Sequence, residues 1–283
     1  MKKPSGRLIR EFAPAKINLA LHVTARRSDG YHTLDSIVCF AAVGDTLDGA
    51  PDNVLTLEID GPHAQYLGHL PENLVRRAAR LVASDLGARL LLTKNLPVAA
   101  GLGGGSADAA AALRLLAKLW DLPTPSLAQS LTLGADVPVC LYGKSARMSG
   151  IGQSITPIDH MPSMPAVLVN PGVPLSTKAV FQALENPDSA PLSPVPVGGD
   201  TAVWLDYLRA QRNDLEAVAC TLVPEIRQVL QVLQRQKGSA MTRMSGSGAS
   251  CFGLFDSVEN AALAAESIAL DHPAWWVHDT VLA

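Results

Sequence analysis

Neither sign of charge dominates this chain: 23 Lys and Arg stand against 26 Asp and Glu, a formal net charge of −3. A nucleic-acid partner favours a basic face and a high isoelectric point, so that class is set aside. Cysteine is sparse, and Cys39, Cys140, Cys220 and Cys251 lie far apart with no CxxC pair and no His at metal spacing. Reduced, buried thiols are therefore expected rather than a zinc site or a disulfide framework. No run approaches the roughly eighteen apolar residues of a membrane span. Arg7, Arg10 and Glu11 interrupt any apolar segment that Met1, Lys2 and Lys3 could introduce, so a cytoplasmic globular chain with no membrane partner is expected. There is no internal repeat and no low-complexity tract. At 283 residues and 48% hydrophobic content, the chain can build two cores.

Two familiar phosphate fingerprints are also missing. Counting from Gly101, the third glycine of a dinucleotide loop would fall on Ser106, and no acidic residue ends a second strand about twenty residues on. Gly143, Lys144 and Ser145 imitate the end of a Walker loop, but Pro138 stands where its first Gly must be. What is present is PVAAGLGGGSAD, running directly into AAAALRLLAKLW. Gly101, Gly103, Gly104 and Gly105 let several backbone N–H groups converge on one anion. A helix N-terminus behind them adds unsatisfied amides and roughly half a positive charge. That is a phosphate cradle; the alternative is a tight turn with Ser106 as N-cap. The loop carries no lysine, so cationic help must come from elsewhere.

Alternation from Ile17 to Thr24 and again from Val54 to Ile59 predicts strands early in the chain. Leu74, Ala78, Leu81 and Val82 have helical spacing, with Gly87 as the expected C-cap. Ala88 to Thr93 reads as a strand entering the glycine loop, and Ala109, Leu113, Leu116 and Trp120 line a helix that Pro123 and Pro125 close. A short helix over Ser126 to Leu133 and a hairpin over Ala146 to Ile158 follow. The Met, Pro and Ser residues between His160 and Pro165 suggest a hinge. After it come a strand from Ala166 to Asn170, a Pro- and Gly-rich loop from Asn186 to Gly199, and helices over Val203 to Leu222 and Pro224 to Lys237. A short strand, the loop Ser245 to Gly248, a strand through Cys251 to Phe255, a helix from Val258 and a strand near Trp275 to Thr280 complete the chain.

Four further clusters could carry chemistry. In PAKINL, Lys16 and Asn18 share a face of an apolar strand, where Lys16 could equally be a solvated edge charge. In GYH, Tyr31 and His32 could stack on a base or cap a loop. In GADVP, Asp136 sits among apolar residues, as a base or metal ligand would, or as an N-cap. SGSGAS, Ser245 to Ser250, could approach a phosphate or turn a hairpin.

Together PAKINLAL, DGYH, ENL, PVAAGLGGGSADAA, GADVPV, NPG and MSGSGAS resemble, in order and spacing, the GHMP kinases, nearly end to end. The resemblance implies an α+β chain of two domains: residues 1–161 similar to ribosomal protein S5 domain 2, and a ferredoxin-like domain over 162–283, with the site in a cleft between them. It implies transfer of the γ-phosphoryl group of ATP, with Mg²⁺, to an alcohol. PAKINL followed by DGYH and GADVPV resembles the branch that acts on the 2-hydroxyl of a cytidine diphosphate-linked methylerythritol in the non-mevalonate isoprenoid route. Family members taking homoserine or mevalonate, or a nucleotide-binding relative that senses without catalysing, are the alternatives. By the same resemblance Asp136 takes the hydroxyl proton and Lys16 orients the acceptor and stabilises charge. The ATP loop falls on Pro97, Val98, Ala99, Ala100, Gly101, Leu102, Gly103, Gly104, Gly105, Ser106 and Ala107, with Asn73, Leu74 and Val75 near the adenine. Asp108 would touch a hydroxyl or assist Mg²⁺. Asn18, Tyr31 and His32 would form the cytidine pocket, with Thr177 and Phe181 as its other wall. Metal ligands and oligomeric state are left open. The family pattern PMGAGLGGGSS is broken here by Val98, Ala99 and Ala107. If position 99 needs φ above zero, Ala99 is strained by roughly 1 kcal/mol.

Overall fold

The computed structural model describes residues 8–67, 73–185 and 187–283. Met1, Lys2, Lys3 and Arg7, Glu72 of the ENL motif, and Asn186 at the head of the Pro- and Gly-rich loop lie outside the described residues. Packing divides the chain into two units. Unit 1 comprises residues 8–15, Gly44–Val98 and Gly103–Gly143; unit 2 comprises Lys16–Val43, Ala99–Leu102 and Lys144–Ala283. A single cut after residue 161 does not describe this division, because strands β1 (Ile9–Arg26) and β2 (His32–Pro51) each run through both units.

In unit 1, β3 (Thr56–Asp60) pairs in parallel with β4 (Ala88–Thr93), and β4 pairs antiparallel with the second half of β2, Thr46 opposite Thr93. Helix α1 (Leu74–Val82) is capped by Asn73, whose Oδ1 accepts from the Val75 amide at 2.8 Å. It ends earlier than its periodicity suggests, at the extended Ala83. Gly87 is not its cap: a Cβ there would come within 2.5 Å of the Asp52–Val54 backbone, so the glycine serves a close chain crossing. Helix α2 (Gly104–Trp120) buries Ala109 to Leu113 completely. Small side chains let it seat closely on α1 and α4 (Val137–Tyr142), while α3 (Leu127–Ser130) is held by a capping box between Ser126 and Gln129. Gly143 is the left-handed C-cap of α4, which disposes of the Walker-like triplet as a phosphate motif.

In unit 2, the hairpin of β5 (Ala146–Gly150) and β6 (Ser154–Pro157) pairs with the first half of β2. An antiparallel series follows, in the order β10 (Trp276–Leu282), β7 (Met164–Asn170), β9 (Cys251–Phe255), β8 (Ser239–Met244). Helices α8 (Glu225–Arg235) and α9 (Val258–Asp271) bury Ile226, Val229, Leu233 and Ile268 against Val167, Val169 and Phe255 of these strands. At ~1.5–3 kcal/mol per buried aliphatic or Phe side chain, this apolar layer is the main source of the unit's stability. The helix expected to run to Leu222 is instead two, α6 (Thr201–Ala210) and α7 (Glu216–Leu222). Residues between them are diverted to β1: the Leu21 amide donates to the Arg212 carbonyl and the Asp214 amide to the Leu21 carbonyl, both at 2.9 Å. A six-residue helix, α5 (Thr177–Gln182), stands in PLSTKAVF where none was foreseen; Ser176 caps it. All four cysteines are buried, and no disulfide joins any two of them. Among the described residues no helix is long and apolar enough to cross a membrane.

Candidate active site

Lys16 is not an edge charge. It lies on β1 with only 4% of its surface exposed, and its Nζ donates to Asn18 Oδ1 at 2.7 Å. Asn18 Nδ2 in turn donates to Ser36 Oγ at 2.7 Å, and that hydroxyl to the Ala20 carbonyl at 2.6 Å. Both ends of the Asn18 amide are thus engaged, and its side chain is buried. The Asn18 amide therefore links Lys16 to Ser36.

The second small-residue loop holds this lysine strand from the other side. Ser245 Oγ accepts from the Asn18 amide at 3.1 Å and donates to the Gly101 carbonyl at 3.0 Å; the Ser250 amide donates to the Ala100 carbonyl at 3.1 Å. The Lys16 amide donates to the Leu102 carbonyl at 2.9 Å. A Cβ on Gly101, where φ is +75°, would lie 2.4 Å from the Ser245 carbonyl oxygen. Here glycine is required by both conformation and space. SGSGAS therefore turns the β8–β9 hairpin and also braces residues 100–101.

Behind the loop, Gly103 is the left-handed N-cap of α2 and no side chain caps the helix. The first-turn amides of Gly104, Gly105 and Ser106 are left to an external acceptor, the condition for anion binding. Ala100, Leu102 and Ala107 are buried, so only their backbone can serve a ligand. Ala99 is exposed with φ +53°, the strained conformation its sequence position suggested. Leu74 reaches the same helix end: a Cβ at Gly105 would lie 3.7 Å from its Cδ1. Val75, in contrast, is fully buried.

Asp136 takes the N-cap position of α4, yet its side chain makes no capping hydrogen bond. It is half-buried beside an exposed Ala135, rather than sunk among apolar groups. In unit 2, His32 and Phe181 stack on one another, centroids 5.0 Å apart and planes 24° apart. Burial, then the charge of Arg26, lower the His32 pKa and favour the neutral ring. Tyr31 is 68% exposed, and Thr177 Oγ1 lies 2.8 Å from Ser247 Oγ, tying α5 to the second glycine loop. A groove of about 470 Å³ beside Thr24, Leu34 and Pro191 is lined by none of the expected site residues.

Comparison with known proteins now bears on this arrangement. Residues 73–144 match the GHMP kinases N terminal domain and residues 200–271 the GHMP kinases C terminal domain. The chain belongs to the GHMP kinases. It is 53% identical over 278 residues to the 4-diphosphocytidyl-2-C-methyl-D-erythritol kinase of Ruegeria pomeroyi, covering 97% of this chain and 99% of that one. A relative of the same name from Cereibacter sphaeroides strain ATCC 17029 is also 53% identical, over 94% of this chain and 96% of its own. A crystal structure of 4-(cytidine 5'-diphospho)-2C-methyl-D-erythritol kinase superposes with a TM-score of 0.80 at 35% identity, covering 97% and 99% of the two chains. Homoserine kinase from Cytophaga hutchinsonii, at 17% identity and a TM-score of 0.67, shares the fold.

One part of this GHMP kinase escaped the sequence reading. Lys94, the residue after β4, is buried between Asp45 and Asp108. Asp108, expected to meet a hydroxyl or the metal, is only 4% exposed and accepts from Lys94 Nζ at 2.7 Å, its Oδ1 unpartnered. Burial pulls the Lys94 ammonium down, but Asp108 and then Asp45 more than offset this and hold it above its ordinary value. Burial pushes the Asp108 carboxyl up to about 7, with Lys94 opposing and Asp45 reinforcing. The signal was a lone lysine closing the apolar strand RLLLT immediately before the loop, paired with an aspartate in FAAVGDTL. Neither motif carries a recognisable spacing.

Proposed function

We propose that this chain transfers the γ-phosphoryl group of ATP to the 2-hydroxyl of 4-diphosphocytidyl-2-C-methyl-D-erythritol, giving the 2-phosphate and ADP in the cytoplasm. The observation that carries the site assignment is the uncapped, glycine-led N-terminus of α2, following a loop whose Gly101 admits no side chain. The amides of Gly104, Gly105 and Ser106 and the Ser106 hydroxyl would hold the phosphates, with Asn73 and Leu74 toward the adenine. Mg²⁺, when bound with ATP, supplies positive charge to the phosphate oxygens.

Phosphoryl transfer asks mainly for in-line positioning and charge stabilisation. Lys16, fixed by Asn18 and unable to swing into water, is suited to orient the acceptor oxygen and stabilise developing negative charge. Asp136, which does not cap its own helix, is the general base for the 2-hydroxyl proton; such help contributes ~10²–10⁴-fold. Tyr31 stacks on the cytosine, and the His32–Phe181 wall with Thr177 completes the pocket. Aromatic faces suit a nucleobase, whereas homoserine and mevalonate offer none. The test is a coupled ADP-release assay with the cytidyl substrate set against homoserine and mevalonate. Strong preference for the cytidyl substrate is expected; turnover of either competitor at a comparable kcat/KM would overturn the reading.

A further inference from the structure

Lys94, Asp45 and Asp108 form a charged cluster whose side chains are at most 5% exposed. Burying such groups is costly, and an apolar set of similar volume is often as stable or more so, which turns attention to what the cluster connects. Asp45 Oδ1 accepts from two successive amides, Asn95 at 2.6 Å and Leu96 at 2.9 Å, while its Oδ2 accepts from Lys94 Nζ. Lys94 Nζ also donates to Asp108 Oδ2. The result is a continuous polar bridge from residues 95–96, at the start of the glycine loop, to residue 108, just past its end.

The bridge lies directly against the helix entrance. A Cβ at Gly104 would be 3.5 Å from Lys94 Nζ and 3.6 Å from Asp45 Oδ2. Lys94 is not the cation the loop lacks, since its ammonium is enclosed by two carboxylates and 3% exposed. Its backbone is pinned as well: the Lys94 amide donates to the Asp60 carbonyl at 2.8 Å, and its carbonyl accepts from the His63 amide at 3.1 Å. Geometry, not charge, is what this group can supply.

We propose that Asp45 and Lys94 are positioning residues for nucleotide binding, which with Asp108 brace the two ends of loop 97–107 and hold the first-turn amides of α2 in register for phosphate. The proposal rests on the assignment of that loop to ATP. It is tested by calorimetric binding of a non-hydrolysable ATP analogue, with separate KM values for ATP and the cytidyl acceptor, in Lys94→Met, Asp45→Asn, Asp108→Leu and the double variant Lys94→Met/Asp108→Leu. Each single variant should lose about tenfold or more in analogue affinity, with acceptor KM within about threefold, and the double should lose no more than its worse parent, as members of one bridge do. Variants that melt cooperatively yet bind the analogue as the wild type does, losses that multiply, or an equal loss of acceptor affinity would overturn it. Should Lys94→Met not fold, Asp45→Asn and Asp108→Leu decide by the same readings. A wild-type chain that does not bind the analogue would refute the ATP assignment itself; wild-type binding with unaffected variants would refute the brace alone.

Discussion

Ala99→Gly should stabilise this protein, against the usual direction of such a change. Ala99 sits in the glycine loop at φ +53° with its side chain exposed. An L-residue in the left-handed region costs roughly 1–2 kcal/mol, and glycine removes that cost. Against it, glycine enlarges the freedom of the unfolded chain, worth about 0.4–1 kcal/mol. The exposed methyl contributes no packing to lose, so the net gain is about 0.5–1 kcal/mol. For a chain of this size, 1 kcal/mol moves Tm by roughly 2–4 °C, and a rise of about 1–4 °C is expected by calorimetry at fixed scan rate. Ala100→Gly is the control: Ala100 is 5% exposed and not in the left-handed region, so it should lose both buried methyl and chain stiffness and melt lower. Gly101→Ala should be severe, meeting both φ +75° and the Ser245 carbonyl. If Ala99→Gly lowers Tm as much as Ala100→Gly, the strain argument is wrong.

Asp136→Asn should keep binding of an ATP analogue and lose ~10²–10⁴-fold in kcat; near-normal turnover removes Asp136 as the base. Tyr31→Ala should raise the KM for the cytidyl substrate and leave that for ATP nearly unchanged, so an effect confined to ATP would reverse the pocket assignment. Asp108 titrates near about 7 in the fold, beside Lys94 and Asp45, against an ordinary value of 3.8. The folded state therefore holds the extra proton, and the stability this group contributes is lost as pH rises from about 4 through 7. Chemical denaturation of wild type and Asp108→Asn should show a stability difference that shifts against the wild type across that range and levels off above about pH 8. A difference independent of pH would contradict the burial of an ionisable Asp108.

Local signals made much of the fold legible. The β4–loop–α2 run could be read because glycine clustering, helix periodicity and an apolar strand meet within thirty-odd residues, and each is a short-range property. The α6–α7 break could not, since it arises where Arg212 and Asp214 pair with Leu21, nearly two hundred residues earlier. Gly87 was misread for a related reason: its demand comes from a crossing strand, not from the helix before it. Lys16 and the glycine loop stood out as motifs, and the positive φ of Ala99 was flagged from a single departure. The bond from Asn18 to Ser36 was beyond reach, because sequence shows a polar residue on a strand but not the hydroxyl beside it. Lys94 and Asp45 stayed invisible because two charges forty-nine positions apart declare themselves only when folding buries them together.

The passage of β1 and β2 through both units has a practical outcome for anyone who would take the protein apart. Each unit is woven from three separate stretches of polypeptide, so no proteolytic nick or truncation liberates either one intact. A cut at residue 161 would leave the unit 2 stretches of β1 and β2 in the N-terminal fragment, severed from the rest of their unit, and isolating a unit would demand rewired connections rather than shortened genes.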